Sequence, residues 1–291
     1  MSPLRAPRSQ FVLRLPNGRD LELGRRTLVM GIINVTPDSF ADDGSRFDPD
    51  VAIAAARQMV ADGADIIDVG GESTRPGAAP LPAVDELKRV VPVLEGLRGR
   101  VHVPISIDTY KAEVAERALD LGAVIVNDIS ALAYDPALAA VVARRRAGVV
   151  LMHTRGRSAD MYDQARYADV MTEVVGELRA RVGVALAAGI DRRSIVVDPG
   201  LGFAKRAEHS LEALTRLDEL AALELPILSG PSRKSFLKAA LGELPPAERM
   251  WGTAAAVTAS ILAGAHIVRV HDVREMVQVA RVADAIRAVS S

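Results

Sequence analysis

The chain has 291 residues, and its 36 Lys and Arg against 37 Asp and Glu leave a formal net charge of −1. With 49% hydrophobic and 25% charged residues it has the balance of a globular protein, which excludes a disordered chain. Near-neutral charge argues against a broad electrostatic grip on nucleic acid or anionic lipid, and 3% aromatics leave no stacking platform for single strands.

The segment Met1 to Arg8 lacks the apolar core of a secretory signal, and there is no cysteine. Disulfides, thiolate zinc sites and a cysteine nucleophile are therefore out, and a cytoplasmic location is expected. From Phe11 to Leu23 apolar and polar residues alternate about Asn17 and Gly18, which predicts a β-hairpin closing one end of the fold. One phrase then recurs: an Ala-rich amphipathic helix, a Gly, a β-branched run and a polar residue. It reads Gly63 to Gly70, Gly122 to Asp128, Gly148 to His153 and Gly264 to His271. Gly just past a helix supplies a left-handed cap, and unbroken Val/Ile runs suit strands covered on both faces.

The pattern predicts strands at 28–35, 65–70, 103–108, 124–129, 149–154, 194–199, 226–230 and 266–271. Helices are expected at about 50–62, 82–98, 111–121, 136–147, 168–188, 208–222, 233–241 with 250–263, and 274–289. Met250 to Val268 carries no charge but is rich in Ala, Thr, Ser and Gly, so it reads as a buried helix running into a strand, not a membrane span. Eight strands alternating with eight helices predict an α/β fold, a single-domain (β/α)8 TIM barrel over 27–291, preceded by the hairpin within 1–26. The rival, an open doubly wound sheet, normally shows Gly-x-Gly-x-x-Gly after its first strand. Here that strand runs out into Asn34, Val35, Thr36, Pro37 and Asp38.

Barrel sites form where strands end. These ends carry Asn34, the run Gly70 to Pro76, Asp108, Asn127 with Asp128, His153, Asp198, the run Ser232 to Lys234, and Arg269 with His271. The cations follow strands seven and eight, where barrels bind phosphate, and Ser232, Arg233 and Lys234 also open a helix. An anionic, phosphate-bearing substrate follows, unless Arg269 is a structural partner of Asp272 or Glu275. Lysine occurs only at 88, 111, 205, 234 and 238, so Lys234 beside Arg233 reads as a chosen compact donor, with a Schiff-base role as the alternative. Asp108, Asn127 and Asp198 suit a flat heterocycle with adjacent N–H donors, on which Met152 and Phe203 would pack; a divalent-metal cage, or Asp198 capping its own turn, are the other readings. Two long loops, 36–45 and 70–80, have the size of lids, and Asp42 with Asp43 is a further place for a metal.

Met30 through Phe40 and Asp68 through Pro76 resemble the two signature segments of the dihydropteroate synthase family. Ser106 to Thr109, Asn127 to Ser130, Asp198 to Phe203, Ser232 to Lys234 and Arg269 to Asp272 are similar to its remaining motifs, in the family's order. The resemblance implies a transferase of folate biosynthesis on a TIM barrel. It would condense 6-hydroxymethyl-7,8-dihydropterin diphosphate with 4-aminobenzoate, releasing diphosphate, and so be a candidate sulfonamide target. It further implies Mg²⁺, with Asn34 contributing to its site, and a homodimer. Pterin diphosphate would be held by Thr74, Asp108, Asn127, Met152, Asp198, Phe203, Lys234, Arg269 and His271. Of these, Asp108, Asp198, Lys234, Arg269 and His271 would act in catalysis. Thr36, Pro37, Phe40, Thr74, Arg75, Pro76 and Ser232 would build the aminobenzoate pocket. Gly230 and Pro231 stand where the family often has Gly-Thr, a departure that bears on substrate preference. A methyl-folate:corrinoid methyltransferase, or a silent pterin-binding paralogue, are the competing readings on the same architecture.

Overall fold

The computed structural model describes residues 8–18, 20–36, 48–75 and 77–289. Its elements in chain order begin with strands β1 (Phe11–Leu13), β2 (Leu21–Leu23) and β3 (Leu28–Asn34), then α1 (Pro49–Ala61), β4 (Ile66–Gly70), α2 (Ala83–Leu97) and β5 (Ile105–Asp108). They continue through α3 (Ala112–Asp120), β6 (Ile125–Asp128), α4 (Leu138–Arg145), β7 (Gly148–Met152), α5 (Val170–Ala187), β8 (Ile195–Asp198) and α6 (Ala207–Thr215). The chain closes with β9 (Leu228–Ser229), α7 (Lys238–Leu241), α8 (Met250–Leu262), β10 (Ile267–Val270) and α9 (Val273–Ala288).

Eight parallel strands are ordered β8, β7, β6, β5, β4, β3, β10, β9, and a parallel bridge between Val197 and Ile227 brings the two ends together. This is the (β/α)8 barrel. Successive strand residues face opposite sides of a sheet. Ile67, Val69, Ile107, Val126, Leu151, Val197, Val268 and Val270 accordingly join the core shared with the helices. The alternate set faces the barrel axis and changes character along it. At the N-terminal end Leu28, Met30, Ile66, Ile125, Val150, Val196, Leu228 and Ile267 cluster with Leu13, Leu15 and Leu23 of the hairpin segment. Each leucine so buried contributes on the order of 2 kcal/mol. The hairpin thus plugs the barrel, as expected, but its turn is not a two-residue one. β1 and β2 pair from Phe11↔Leu23 to Leu13↔Leu21, and the link between them contains a 3₁₀ turn at Pro16–Gly18. That longer link delivers Leu15 to the barrel axis, where a Cβ on Gly148 would lie 2.7 Å from its side chain.

Three of the four phrase glycines cap helices in the left-handed region: Gly63, Gly122 and Gly264, with φ of +102°, +108° and +98°. The fourth does not. Gly148 belongs to β7, and Arg146, at φ +53°, turns the chain after α4 instead. The helix expected at 233–241 is also corrected, to a 3₁₀ turn at Ser235–Leu237 and the single turn α7. Gly242 at φ +75° ends it, and Pro245 and Pro246 follow. Likewise the helix expected at 208–222 splits at Thr215 into α6 and a 3₁₀ segment, Leu217–Leu223. α8 runs into β10 as expected, but one side of it is bare, with Trp251 77% exposed. Among the described residues no helix is long and apolar enough to cross a membrane.

Candidate active site

At the C-terminal end of the barrel the inward set becomes polar. Asp68, in the middle of β4, is fully buried, and its Oδ2 accepts from Arg269 Nε at 2.6 Å and from Asn127 Nδ2 at 2.9 Å. A terminal guanidinium nitrogen of Arg269 donates to Asp108 Oδ2 at 2.6 Å. A Cβ on Gly70 would stand 3.2 Å from that of Asp108, so the absence of a side chain there leaves room for the carboxylate. Two carboxylates share one guanidinium. Burial, opposed by Arg269 and assisted by Asp68, pushes the Asp108 carboxyl up to about 7. The fork of Arg269 therefore answers Asp68 and Asp108 across the barrel, not Asp272 or Glu275; Asp272 pairs with Arg233. The cation and the carboxylates are not segregated on opposite walls.

Asp198 is buried at the end of β8, where its Oδ1 accepts from Gly200 N at 2.7 Å, so it does cap its own turn. Its other oxygen lies on the side of Gly230 and Lys234. Lys234 Nζ donates to Leu201 O and sits 4.6 Å from the centre of the Phe203 ring. Burial pulls its ammonium down to about 8, against the opposing charge of Asp198, while burial pushes the Asp198 carboxyl up. At the other side of the mouth Ser232 Oγ accepts the main-chain N–H of His271 at 3.2 Å and lies 2.9 Å from its Nδ1. His271 Nε2 is 3.5 Å from Asn34 Nδ2. Burial, with Arg233 and Arg269 adding to it, pulls His271 down to about 3, so it is a neutral imidazole in this state and not a second cation.

These groups open on a cavity of about 800 Å³, lined in part by Asn34, Asp108, Phe203, Lys234, Arg269 and His271. Thr36, Thr74, Arg75 and Ser232 line it as well. Pro37, Phe40 and Pro76, and with them Asp42 and Asp43, lie outside the described residues. Asn127, Met152 and Asp198 are each 4% exposed and stand behind the lining. Two strand-end residues turn away from the mouth. Asp128 accepts from Ser130 and Leu132 within its own turn. His153 lies between Lys205 and Glu177.

Among the described residues no three His, Asp or Glu are grouped to hold a metal ion. Of the oxygens at the mouth, the Asn34 amide oxygen would suit Mg²⁺ as a single neutral protein ligand.

Three contributors escape the sequence reading. Asp68 enters it only as part of a motif, although a carboxylate inside an Ile/Val run buried on both faces is the signal that marks it. Glu72 lines the cavity and accepts from Tyr110 OH at 3.0 Å and Leu81 N at 3.2 Å, while Lys111 ties it to the buried Glu86. Lys205 is 1% exposed, and the scarcity of lysine that singles out Lys234 applies equally to it.

A family model described as pterin binding enzyme matches residues 30–271. The dihydropteroate synthase of Synechocystis is 47% identical over 273 residues, 94% of each chain. The Yersinia pestis dihydropteroate synthase, solved as a sulfonamide drug complex, superposes with a TM-score of 0.89 at 40% identity, covering 96% of this chain and 100% of that one. The Xanthomonas albilineans dihydropteroate synthase in complex with 7,8-dihydropteroate superposes with a TM-score of 0.84 at 37% identity, covering 94% and 99%. Sequence and fold agree, and the chain belongs to the dihydropteroate synthases of the pterin-binding enzyme family.

Proposed function

We infer that this chain condenses 6-hydroxymethyl-7,8-dihydropterin diphosphate with 4-aminobenzoate to give 7,8-dihydropteroate and diphosphate, a transferase step of folate biosynthesis. The observation that carries the reading is the shared floor of the mouth. There the carboxylates of Asp68 and Asp108 share Arg269 and Asn127 donates to Asp68, with Lys234 and Asp198 on one side and Asn34, Ser232 and His271 on the other.

In this reading Asp108, Asn127 and Asp198 accept from the N–H groups of the pterin, Lys234 donates to it, and Met152 and Phe203 pack on its faces. Arg269 and neutral His271 hold the diphosphate. Asn34 would hold Mg²⁺, which when bound supplies further charge neutralisation on the phosphate oxygens. As the methylene C–O bond breaks, diphosphate takes the bonding pair. The positive charge left on the methylene spreads into the pterin, where Asp108 and Asp198 favour it. The amine of 4-aminobenzoate then forms the C–N bond and loses a proton. Thr36, Thr74, Arg75 and Ser232 form the aminobenzoate side of the cavity and exclude water from the cation. A sulfonamide mimic competes at that side. A carbon isotope effect at the methylene that reports strong bonding to the incoming amine would sink the dissociative order of events.

The chain works as a homodimer in the cytoplasm in this reading. Supporting the dimer, Trp251 on α8 and Val282 and Ile286 on α9, two helices that pack together, are exposed apolar side chains of the kind that a partner covers. The test of function is diphosphate release by the purified protein with Mg²⁺ and the pterin diphosphate. Release that requires 4-aminobenzoate and yields dihydropteroate is expected. Tight pterin binding without turnover would reject it.

A further inference from the structure

The loop that joins β8 to α6 carries Asp198, Leu201 and Phe203, all facing Lys234, yet it has little regular structure to hold it. Gly200, Gly202 and Ala204 all take positive φ, +67°, +78° and +48°. For Gly200 the conformation leaves no alternative residue, because a Cβ would lie 2.0 Å from His153 O. Gly200 and Gly202 adopt that region without strain, but Ala204 does so at a cost that its surroundings must offset.

The chief support is Lys205. Its Nζ stands 2.8 Å from His153 Nδ1, 3.3 Å from Gly200 O and 3.1 Å from Phe203 O. The three hydrogens of an ammonium thus meet three acceptors, none of them a carboxylate, in a place 1% exposed. Burying a charge in this way is costly unless the geometry it enforces offsets the desolvation. His153 is oriented in turn. With Nδ1 accepting, Nε2 carries hydrogen and donates to Glu177 Oε2 at 3.0 Å. Glu177 is held from its far side by Arg155, which lies 4.1 Å above the Tyr167 ring, and the Tyr167 hydroxyl donates to Ala204 O at 3.0 Å. The loop after β7, the helix α5 and the loop after β8 are thereby locked into one polar cluster. Neither Lys205 nor His153 lines the 800 Å³ cavity.

We propose that Lys205, oriented by His153, is a positioning residue. It clamps the carbonyls at both ends of the 200–203 turn, and so sets the Phe203 ring and the Leu201 carbonyl that aim Lys234 into the pterin pocket. The proposal deepens the function proposed above and rests on it for its kinetic test alone.

The test compares wild type with Lys205→Met, His153→Leu and His153→Gln. Gln keeps an oxygen for Lys205 and an N–H for Glu177, so it serves as the conservative rescue. Positioning of ground-state contacts raises KM for the pterin diphosphate, by about tenfold in Lys205→Met and His153→Leu, while kcat changes by less than about threefold and His153→Gln stays within about twofold of wild type. Hydrogen exchange of peptides spanning 198–206 accelerates in the first two variants, with β3, β4 and α9 unchanged. Unaltered KM and exchange in Lys205→Met would overturn the proposal, as would acceleration throughout the barrel with KM of the folded fraction unmoved. If Lys205→Met does not fold, the two His153 variants decide, and equal behaviour of Leu and Gln overturns it. Failure of wild type to turn over would reject the proposed function instead; the exchange comparison needs no substrate and reads the positioning on its own.

Discussion

The two ends of the barrel are made by the same strands and obey opposite rules. On β4 Ile66 belongs to the apolar plug and Asp68 to the polar floor; Ile125 and Asn127, Val196 and Asp198, and Ile267 and Arg269 repeat the step on β6, β8 and β10. Two residues along a strand is about 7 Å. Within that distance the axis passes from a layer filled by side chains of the N-terminal segment to one in which buried charges satisfy each other incompletely. Asp68 Oδ1 and Ser106 Oγ have no hydrogen-bond partner among the described residues. The plug lowers the free energy of folding and contributes nothing to the lining of the cavity. The mouth spends part of that stability to keep charges aimed at one cavity.

Variants can break or sharpen this contrast. The largest effect is expected at Arg269. Arg269→Leu removes the proposed diphosphate contact and leaves Asp68 and Asp108 facing each other without a counter-charge. Steady-state kinetics should show kcat/KM down by about 10³-fold, and a value within a few-fold of wild type would remove Arg269 from the reaction. At the opposite end Leu23→Ala should cost about 3 kcal/mol of unfolding free energy in a denaturant titration, because the barrel cannot collapse onto the space. Activity per folded molecule should stay the same, and a matching loss of kcat would show that the two ends are not independent.

A smaller effect comes from Asp108, whose carboxyl is raised from 3.8 to about 7 in the folded chain. A carboxyl that binds its proton more tightly when folded contributes stability that is complete below the unfolded value and lost as pH rises through the folded one. Between about pH 5 and pH 8 the Tm of the ligand-free wild type should therefore fall relative to Asp108→Asn, by roughly 4 °C. Parallel curves for the two proteins would show that Arg269 keeps Asp108 ionised throughout. The smallest effect belongs to Arg26, 61% exposed and paired with Asp65 at the rim of the plugged end. Arg26→Gln should change stability by about 0.5 kcal/mol, and less in high salt.

Much of this contrast is legible in the amino-acid sequence alone. Val/Ile runs broken every few tens of residues by Gly and a polar residue announce the barrel, because period-two alternation and left-handed caps are local properties. What fails locally is what depends on a distant neighbour. Gly148 looks like one more cap, but it is shaped by Leu15, more than a hundred positions earlier in the chain. Arg269 looks like a partner for Asp272, its near neighbour in the chain, but it reaches Asp68 across a separation of 201 residues. Asp108, Asp198, Lys234 and His271 are legible as a set because each stands at or just past the end of a strand. Asp68 and Lys205 are not, one lying inside a strand and the other beyond the loop it supports.

The plug also has a consequence in time. Leu13 and Leu23 leave the ribosome some two hundred residues ahead of Leu228 and Ile267, which complete the cluster that buries them. At the usual 5–20 residues per second the hairpin waits roughly 10–50 s for its last partners. Throughout that interval a pair of short, apolar, unpaired-edged strands is held in the open. Nascent molecules of this enzyme are therefore most exposed to chaperone capture at this hairpin, and release from that capture is tied to emergence of β10.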